Sequence, residues 1–127
     1  MDRQELLGDF KKALFQLQDA LRDPSAGDVF KAGCIQYFEF TFELAWKTIK
    51  RVASDEGLPD CNSPKSALKA AFGNGWVESE DIWLDMLSYR NQMSHTYSSE
   101  DALSIYDKLS AYADSLQQLV NTLSDVE

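Results

Sequence analysis

The chain has 127 residues and a formal net charge of −9, with 21 acidic residues against 12 basic ones. This acidity argues against general coating of nucleic acid, because neutralisation of phosphates supplies that affinity, and favours a partner with a basic patch. Two cysteines without metal-ligand spacing, charged first residues and no long apolar run predict a cytoplasmic protein that does not enter the membrane.

Two long helices are predicted in the first half of the chain. Apolar residues recur at steps of three and four over Arg3–Leu21, which indicates an amphipathic helix. The second helix is predicted over Asp28–Asp55 and is apolar around most of its circumference. Such a helix is either central in a bundle or buried in a second interface. A short chain encloses a helix poorly, so we expect a subunit interface and a homodimer.

The second half of the chain predicts three more helices. Ser63 before Pro64 is a good start for a short helix over residues 64–72, because serine caps helices and proline suits the first turn. Longer helices are predicted over residues 79–95 and 99–123. We therefore expect an all-α fold, an antiparallel up-and-down four-helix bundle with one short extra helix, formed by residues 1–127 as a single domain.

A row of charged side chains recurs every four residues along the second helix: Glu39, Glu43, Lys47 and Arg51. Glu43 is well placed to pair with Lys47 on that helix. The two glutamates could also be metal ligands, but carboxylate sites in bundles use a Glu-x-x-His element, which the single histidine, His95, lacks. We expect no metal and no cofactor, and an ion-pair row or the polar wall of a cleft formed by Glu39, Glu43 and Lys47.

The predicted end of the fourth helix is rich in polar residues. It comprises residues 88–97, Ser-Tyr-Arg-Asn-Gln-Met-Ser-His-Thr-Tyr. Arg90 and His95 are five residues apart, roughly 140° around an ideal helix. They converge only if the helix ends near His95 or if two copies of the chain meet there. A purely structural interpretation is also open: Arg90 forms an ion pair, His95 caps the helix and Tyr97 fills a corner.

The same stretch carries a family resemblance. Arginine followed by asparagine, then histidine five residues after the arginine and tyrosine two residues later, is similar to the signature of the HEPN superfamily. More narrowly, the chain resembles nucleotidyltransferase substrate-binding proteins, which include HepT-type toxins. The resemblance covers nearly the whole chain. It is carried by residues 38–47 (Phe-Glu-Phe-Thr-Phe-Glu-Leu-Ala-Trp-Lys), 63–64 (Ser-Pro), 82–87 (Ile-Trp-Leu-Asp-Met-Leu), 90–91 (Arg-Asn) and 94–97 (Ser-His-Thr-Tyr).

The resemblance implies a partner subunit of a small MNT-type nucleotidyltransferase, in a toxin–antitoxin-like pair. A cleft near Arg90, Asn91, His95 and Tyr97 would then receive a nucleotide or a partner loop, with Arg90 holding phosphate through its planar fork. Related pairs imply adenylylation of Tyr97. A phenol has a pKa near 10, so the partner would have to supply a base and a metal-activated phosphate.

A second function is compatible with the same residues, and whether the chain is an enzyme stays open. As a metal-independent endoribonuclease, it would use His95 for proton transfer, Arg90 to stabilise charge on phosphorus and Asn91 to orient either group. Two sites facing each other across a homodimer would supply one acid and one base. The acidic surface opposes RNA, so we prefer the nucleotidyltransferase partner.

Overall fold

A computed structural model of the chain describes residues 2–23, 27–93 and 103–126, and within them all regular structure is helical. A tight 3₁₀ turn, Ile105–Lys108, precedes the last helix. The helices are α1 (Arg3–Leu21), α2 (Asp28–Asp55), α3 (Pro64–Gly73), α4 (Glu80–Met93) and α5 (Leu109–Asp125). No helix in the described parts of the chain is both long enough and apolar enough to cross a membrane.

Helix starts and ends follow local sequence signals. The Oδ1 atom of Asp2 accepts the Glu5 amide at 2.8 Å and begins α1. Ser63 and Ser66 form a reciprocal capping box, with Pro64 in the first turn of α3. Gly57 leaves α2 with a φ of 76°, which residues with a Cβ rarely adopt.

The predicted bounds of α1 and α2 are confirmed, and those of α3 and α4 differ by one residue at Gly73 and Glu80. The predicted start of the last helix at residue 99, and the predicted end of α4 at residue 95, lie outside the described residues. A continuous α-helix over residues 99–123 is wrong in its described part, because Ile105–Lys108 forms a 3₁₀ turn. Ile105 in that turn is buried.

The long helices run in alternating directions. Gln18 and Gln117 share a hydrogen bond at 3.0 Å, and Arg3 donates to the Val126 carbonyl at 2.9 Å. Because residues early in α1 meet residues late in α5, these two helices are antiparallel. The predicted antiparallel four-helix bundle with one short extra helix is confirmed.

Helix α2 provides the centre of the packing and contacts α1, α3 and α5. It meets α4 through large aromatic rings. The Phe42 and Trp83 rings lie 6.3 Å apart, and Phe38 lies 6.4 Å from Tyr89 and 5.1 Å from Tyr112, all as ring centroids. These interlocking rings fix the height of α4, meaning its position along the axis of α2, because displaced rings would leave voids in the core.

Some aromatic residues of α2 lie in the core and others lie on the surface. Phe38 and Phe42 are fully buried, whereas Tyr37 and Phe40 are 41% and 53% exposed. The two exposed rings meet edge to face at 6.0 Å. We call the surface formed by Tyr37, Phe40 and Lys47 the outer α2 face. The predicted subunit interface on α2 therefore has an apolar surface available to it.

A buried tyrosine connects α4 to α5. The Tyr112 ring is buried, and its hydroxyl donates to Oδ2 of Asp85, while Lys108 Nζ lies 3.4 Å from the same oxygen. Burial, reinforced by the Asp85 contact, raises the pKa of Tyr112 well above its usual value. The hydrogen bond from Tyr112 is the main cause that lowers the pKa of Asp85. The pair therefore favours the ionised aspartate in the folded protein.

Replacing Tyr112 with phenylalanine is expected to lower the free energy of unfolding by about 1 kcal/mol at neutral pH, because the ring stays and one hydrogen bond is lost. The folded pKa of Asp85 is lowered, so this contribution is present above the unfolded pKa of about 3.9 and lost as the pH falls through the folded value. Urea unfolding at several pH values measures the difference.

The matched control is Tyr106→Phe, which keeps the ring 5.2 Å from Lys31 Nζ and leaves the Asp85 contact intact. A loss in Tyr112→Phe that is equally large at pH 7 and at pH 3, or matched by the control, would show that the Asp85 hydrogen bond does not stabilise the fold.

Candidate functional site

The candidate site is built on one ion pair between α2 and α4. Arg90, in the last turn of α4, donates from Nε to Oε1 of Glu43 at 2.8 Å. The two residues are 47 positions apart in the sequence, so the contact depends on the packing of the two helices. Their side chains are 36% and 33% exposed. The pair therefore lies at the edge of the bundle, where solvent or a ligand can reach it.

The second oxygen of the Glu43 carboxylate has its own partner. Trp46, three residues further along α2, donates from its indole Nε1 to Oε2 of Glu43 at 2.8 Å. The Trp46 ring is partly buried and packs against the core. Glu43 is thus held by its own helix on one oxygen and holds α4 with the other, which fixes the direction of the carboxylate.

The remaining donors of Arg90 lie on the other side of its guanidinium group. Nη1 donates to Oδ1 of the neighbouring Asn91 at 3.3 Å, a long hydrogen bond. Among the described residues, Glu43 contacts the Arg90 guanidinium through Nε alone. A planar guanidinium held by Nε presents its two terminal nitrogens as a fork, the shape that matches carboxylate or phosphate oxygens.

Glu39 lies one helical turn before Glu43 and is partly buried. Burial, and then the negative charge of Glu43, raise the pKa of Glu39 above its ordinary value. Lys47 is exposed and belongs to the outer α2 face. The predicted Glu43–Lys47 pair is not among the ion pairs of the described residues; Glu43 instead accepts from Arg90 of α4 and from the indole of Trp46.

The structure accounts for part of the predicted site. The ion pair expected for Arg90 is present, with Glu43 as its partner. His95 and Tyr97 lie outside the described residues, so their convergence with Arg90 stays a prediction. Across residues 2–23, 27–93 and 103–126, no three His, Cys, Asp or Glu side chains are grouped as metal ligands.

Trp46 was missed by sequence reasoning, which assigned it to the apolar surface of α2. The available signal was its position three residues after Glu43, since side chains at that spacing are neighbours on a helix. An indole can supply both apolar surface and one hydrogen-bond donor. The pattern alone does not show which of the two matters.

Comparisons with known proteins cover most of the chain or nearly all of it. A family model described as "Nucleotidyltransferase substrate binding protein like" matches residues 5–125. A Haemophilus influenzae protein named "Probable ribonuclease HepT" is 33% identical over 86 residues, covering 65% of this chain. That match covers 59% of the relative, so the chain spans less than two thirds of its length.

Two solved structures show the same fold. A protein from Thermus thermophilus has a TM-score of 0.81 and 31% identity, covering 90% of this chain and 98% of its own. A Haemophilus influenzae protein has a TM-score of 0.78 and 27% identity, covering 94% and 99%. The second is described as revealing the fold of a substrate-binding domain of a nucleotidyltransferase.

Proposed function

Because the chain belongs to the nucleotidyltransferase substrate-binding protein-like family, among the HepT-like HEPN proteins, we propose that it is the substrate-binding subunit of a separate MNT-type nucleotidyltransferase. The two proteins would form a toxin–antitoxin-like pair. The observation that carries this proposal is Arg90, held through Nε by Glu43 at the edge of the bundle. A guanidinium held in this way is prepared to bind a phosphate group.

Binding energetics favour a phosphate ligand at Arg90. The guanidinium is partly exposed, so a ligand displaces water without having to open the core. Its terminal nitrogens can form two parallel hydrogen bonds to phosphate oxygens. Each such charge-assisted bond is roughly twice as strong as a hydrogen bond between neutral groups. Phosphates of a nucleotide bound to the nucleotidyltransferase have this chemistry. The Arg90 site would then position part of the partner's substrate.

The overall charge supports a protein partner. With a net charge of −9, the chain attracts a surface of positive potential and speeds encounter with it. A nucleotidyltransferase needs positive charge where it binds nucleoside triphosphate, so its active-site rim would suit this acidic subunit. Such a complex would bring Arg90 beside the partner's nucleotide.

We propose Tyr97 as the group that the partner adenylylates. Tyr97 follows Arg90 by seven residues. Its phenolic oxygen would form a bond to the α-phosphorus of ATP as the bond to pyrophosphate breaks, and the phenolic proton would pass to a base on the partner. Arg90 would hold a phosphate oxygen during this transfer. The product would carry bulk and negative charge next to Arg90 and His95.

A metal-independent endoribonuclease is the second candidate, and the name "Probable ribonuclease HepT" of the relative favours it. His95 would take the proton from an RNA 2′-hydroxyl, whose oxygen then attacks its own phosphorus while the 5′-oxygen of the next nucleotide leaves. Arg90 would stabilise the charge on phosphorus, and Asn91 would orient either group. The leaving oxygen needs a proton from a second acid, which another copy's histidine would supply.

The outer α2 face is our candidate surface for that second copy. Phe40 and Tyr37 are exposed on the helix that also carries Glu43, a position from which a two-fold contact could bring two Arg90 sites close together. Exposed aromatic rings are typical of interface cores. We therefore propose a homodimer through this face, with the residues of each site contributed by both copies.

The adenylylation proposal is tested by incubating the chain with its nucleotidyltransferase, ATP and Mg²⁺, followed by mass spectrometry of peptides. We expect one AMP on Tyr97, and none on Tyr97→Phe. The variant Arg90→Lys should slow the transfer at least about tenfold, because a lysine cannot form the two-point contact. Transfer to another residue with Tyr97 unmodified would contradict the proposal.

The ribonuclease candidate is tested by incubating the purified chain with RNA and a chelator. If the chain cleaves RNA, the activity should disappear in His95→Ala and in Phe40→Glu, and Phe40→Glu should be monomeric in analytical ultracentrifugation. Phe15→Glu is the matched control, because Phe15 is 57% exposed on α1 against 53% for Phe40. Cleavage by a monomeric Phe40→Glu variant would exclude a site shared between copies, and cleavage by His95→Ala would exclude His95 as its base.

A further inference from the structure

Glu43 accepts one hydrogen bond from Trp46 and one from Arg90. Nε1 of Trp46 and Nε of Arg90 each lie 2.8 Å from a different oxygen of the same carboxylate. We propose that Trp46 is a positioning residue, whose indole N–H keeps one Glu43 oxygen away from Arg90 and so leaves the terminal guanidinium nitrogens for a phosphate ligand. The inference rests on the proposed phosphate-binding role of Arg90.

The pairing of Glu43 with Arg90 differs from the usual geometry of such pairs. A carboxylate and a guanidinium commonly form two parallel hydrogen bonds, which use both carboxylate oxygens and two guanidinium nitrogens. Here Arg90 contacts only Oε1 of Glu43, and Oε2 is turned towards the Trp46 indole and accepts its N–H. Without that donor, Oε2 would be available to a terminal nitrogen of Arg90. Two-point pairing inside the protein would then compete with two-point pairing to phosphate.

Trp46 is suited to this role because its ring is fixed. It is three residues from Glu43 on one helix, so the two side chains lie on neighbouring positions of the same surface. The ring is partly buried and packed against the core. An indole has one N–H donor and no competing acceptor, so the direction of its single hydrogen bond is set by the ring position. The carboxylate is therefore oriented before any ligand arrives.

The long contact to Asn91 is consistent with this role. Nη1 of Arg90 lies 3.3 Å from Oδ1 of Asn91, at the weak end of hydrogen-bond distances. Phosphate oxygens form shorter, charge-assisted bonds with guanidinium nitrogens. A ligand can therefore replace this contact at small cost, while the 2.8 Å bond from Nε to Glu43 keeps the guanidinium in place.

The test uses the variant Trp46→Phe, which keeps an aromatic ring and removes the N–H donor. The matched control is Trp76→Phe, because Trp76 is a buried tryptophan that precedes α4, at the opposite end of that helix from Arg90, where its carbonyl accepts from Gln118 of α5. Inorganic phosphate is the probe, titrated into ¹⁵N-labelled full-length protein. Binding is followed by the NMR signals of the Arg90 Nε–H and terminal N–H groups.

We expect Trp46→Phe to weaken phosphate binding about fivefold, the size that loss of one hydrogen bond produces. Trp76→Phe should bind as the unchanged chain does. In the absence of phosphate, Trp46→Phe should also show slower exchange of the terminal N–H protons of Arg90, because Glu43 then binds them. The double variant Trp46→Phe/Glu43→Gln should recover phosphate binding in part, because the glutamine amide keeps one oxygen for Nε of Arg90 and has no second oxygen to occupy the terminal nitrogens. General damage to the fold would not allow this recovery.

Three results would overturn the inference: equal phosphate affinity in Trp46→Phe and Trp76→Phe, unchanged exchange of the Arg90 terminal protons, or no recovery in the double variant. The variant Arg90→Lys separates this failure from that of the proposed function. If Arg90→Lys binds phosphate as tightly as the unchanged chain, or if the unchanged chain binds none, Arg90 is not a phosphate site. If Arg90→Lys binds more weakly but Trp46→Phe does not, only the role of Trp46 is wrong.

Discussion

The contact between Glu43 and Arg90 joins the two helices on which the candidate site depends. It is a 2.8 Å bond between residues 47 positions apart, and it forms only if α2 and α4 pack at the correct height. The aromatic layer of Phe38, Phe42 and Trp83 sets that height. A partly exposed ion pair contributes little to stability by itself, so its main effect here is to fix the direction of a guanidinium.

The division of α2 between core and surface explains how one helix can serve both fold and function. One side holds the buried rings, and the outer α2 face exposes Tyr37 and Phe40 next to Lys47. Glu39 and Glu43 lie between the two, where burial is partial and the pKa of Glu39 is raised. Subunit contact and ligand contact would therefore meet along the same edge of the bundle.

The fold followed from the sequence to a large extent, because its signals are local. The cap at Ser63, the apolar spacing in α1 and the broad apolar content of α2 predicted the helices closely. The partner of Glu43 could not be predicted, since spacing along one helix favoured Lys47, whereas Arg90 comes from another helix. Whether Lys47 or Arg90 pairs with Glu43 depends on the distance between α2 and α4. The large rings in the core determine that distance.

The coupling free energy between Glu43 and Arg90 tests most directly whether the carboxylate holds the guanidinium. Glu43→Gln, Arg90→Gln and the double variant form a double-mutant cycle, with free energies of unfolding measured in urea. We predict a favourable coupling of about 0.5–1 kcal/mol, as expected for a partly exposed pair held in a fixed geometry. Additive effects, with a coupling below about 0.3 kcal/mol, would mean that Glu43 does not hold Arg90 in solution and would contradict the role given to this pair.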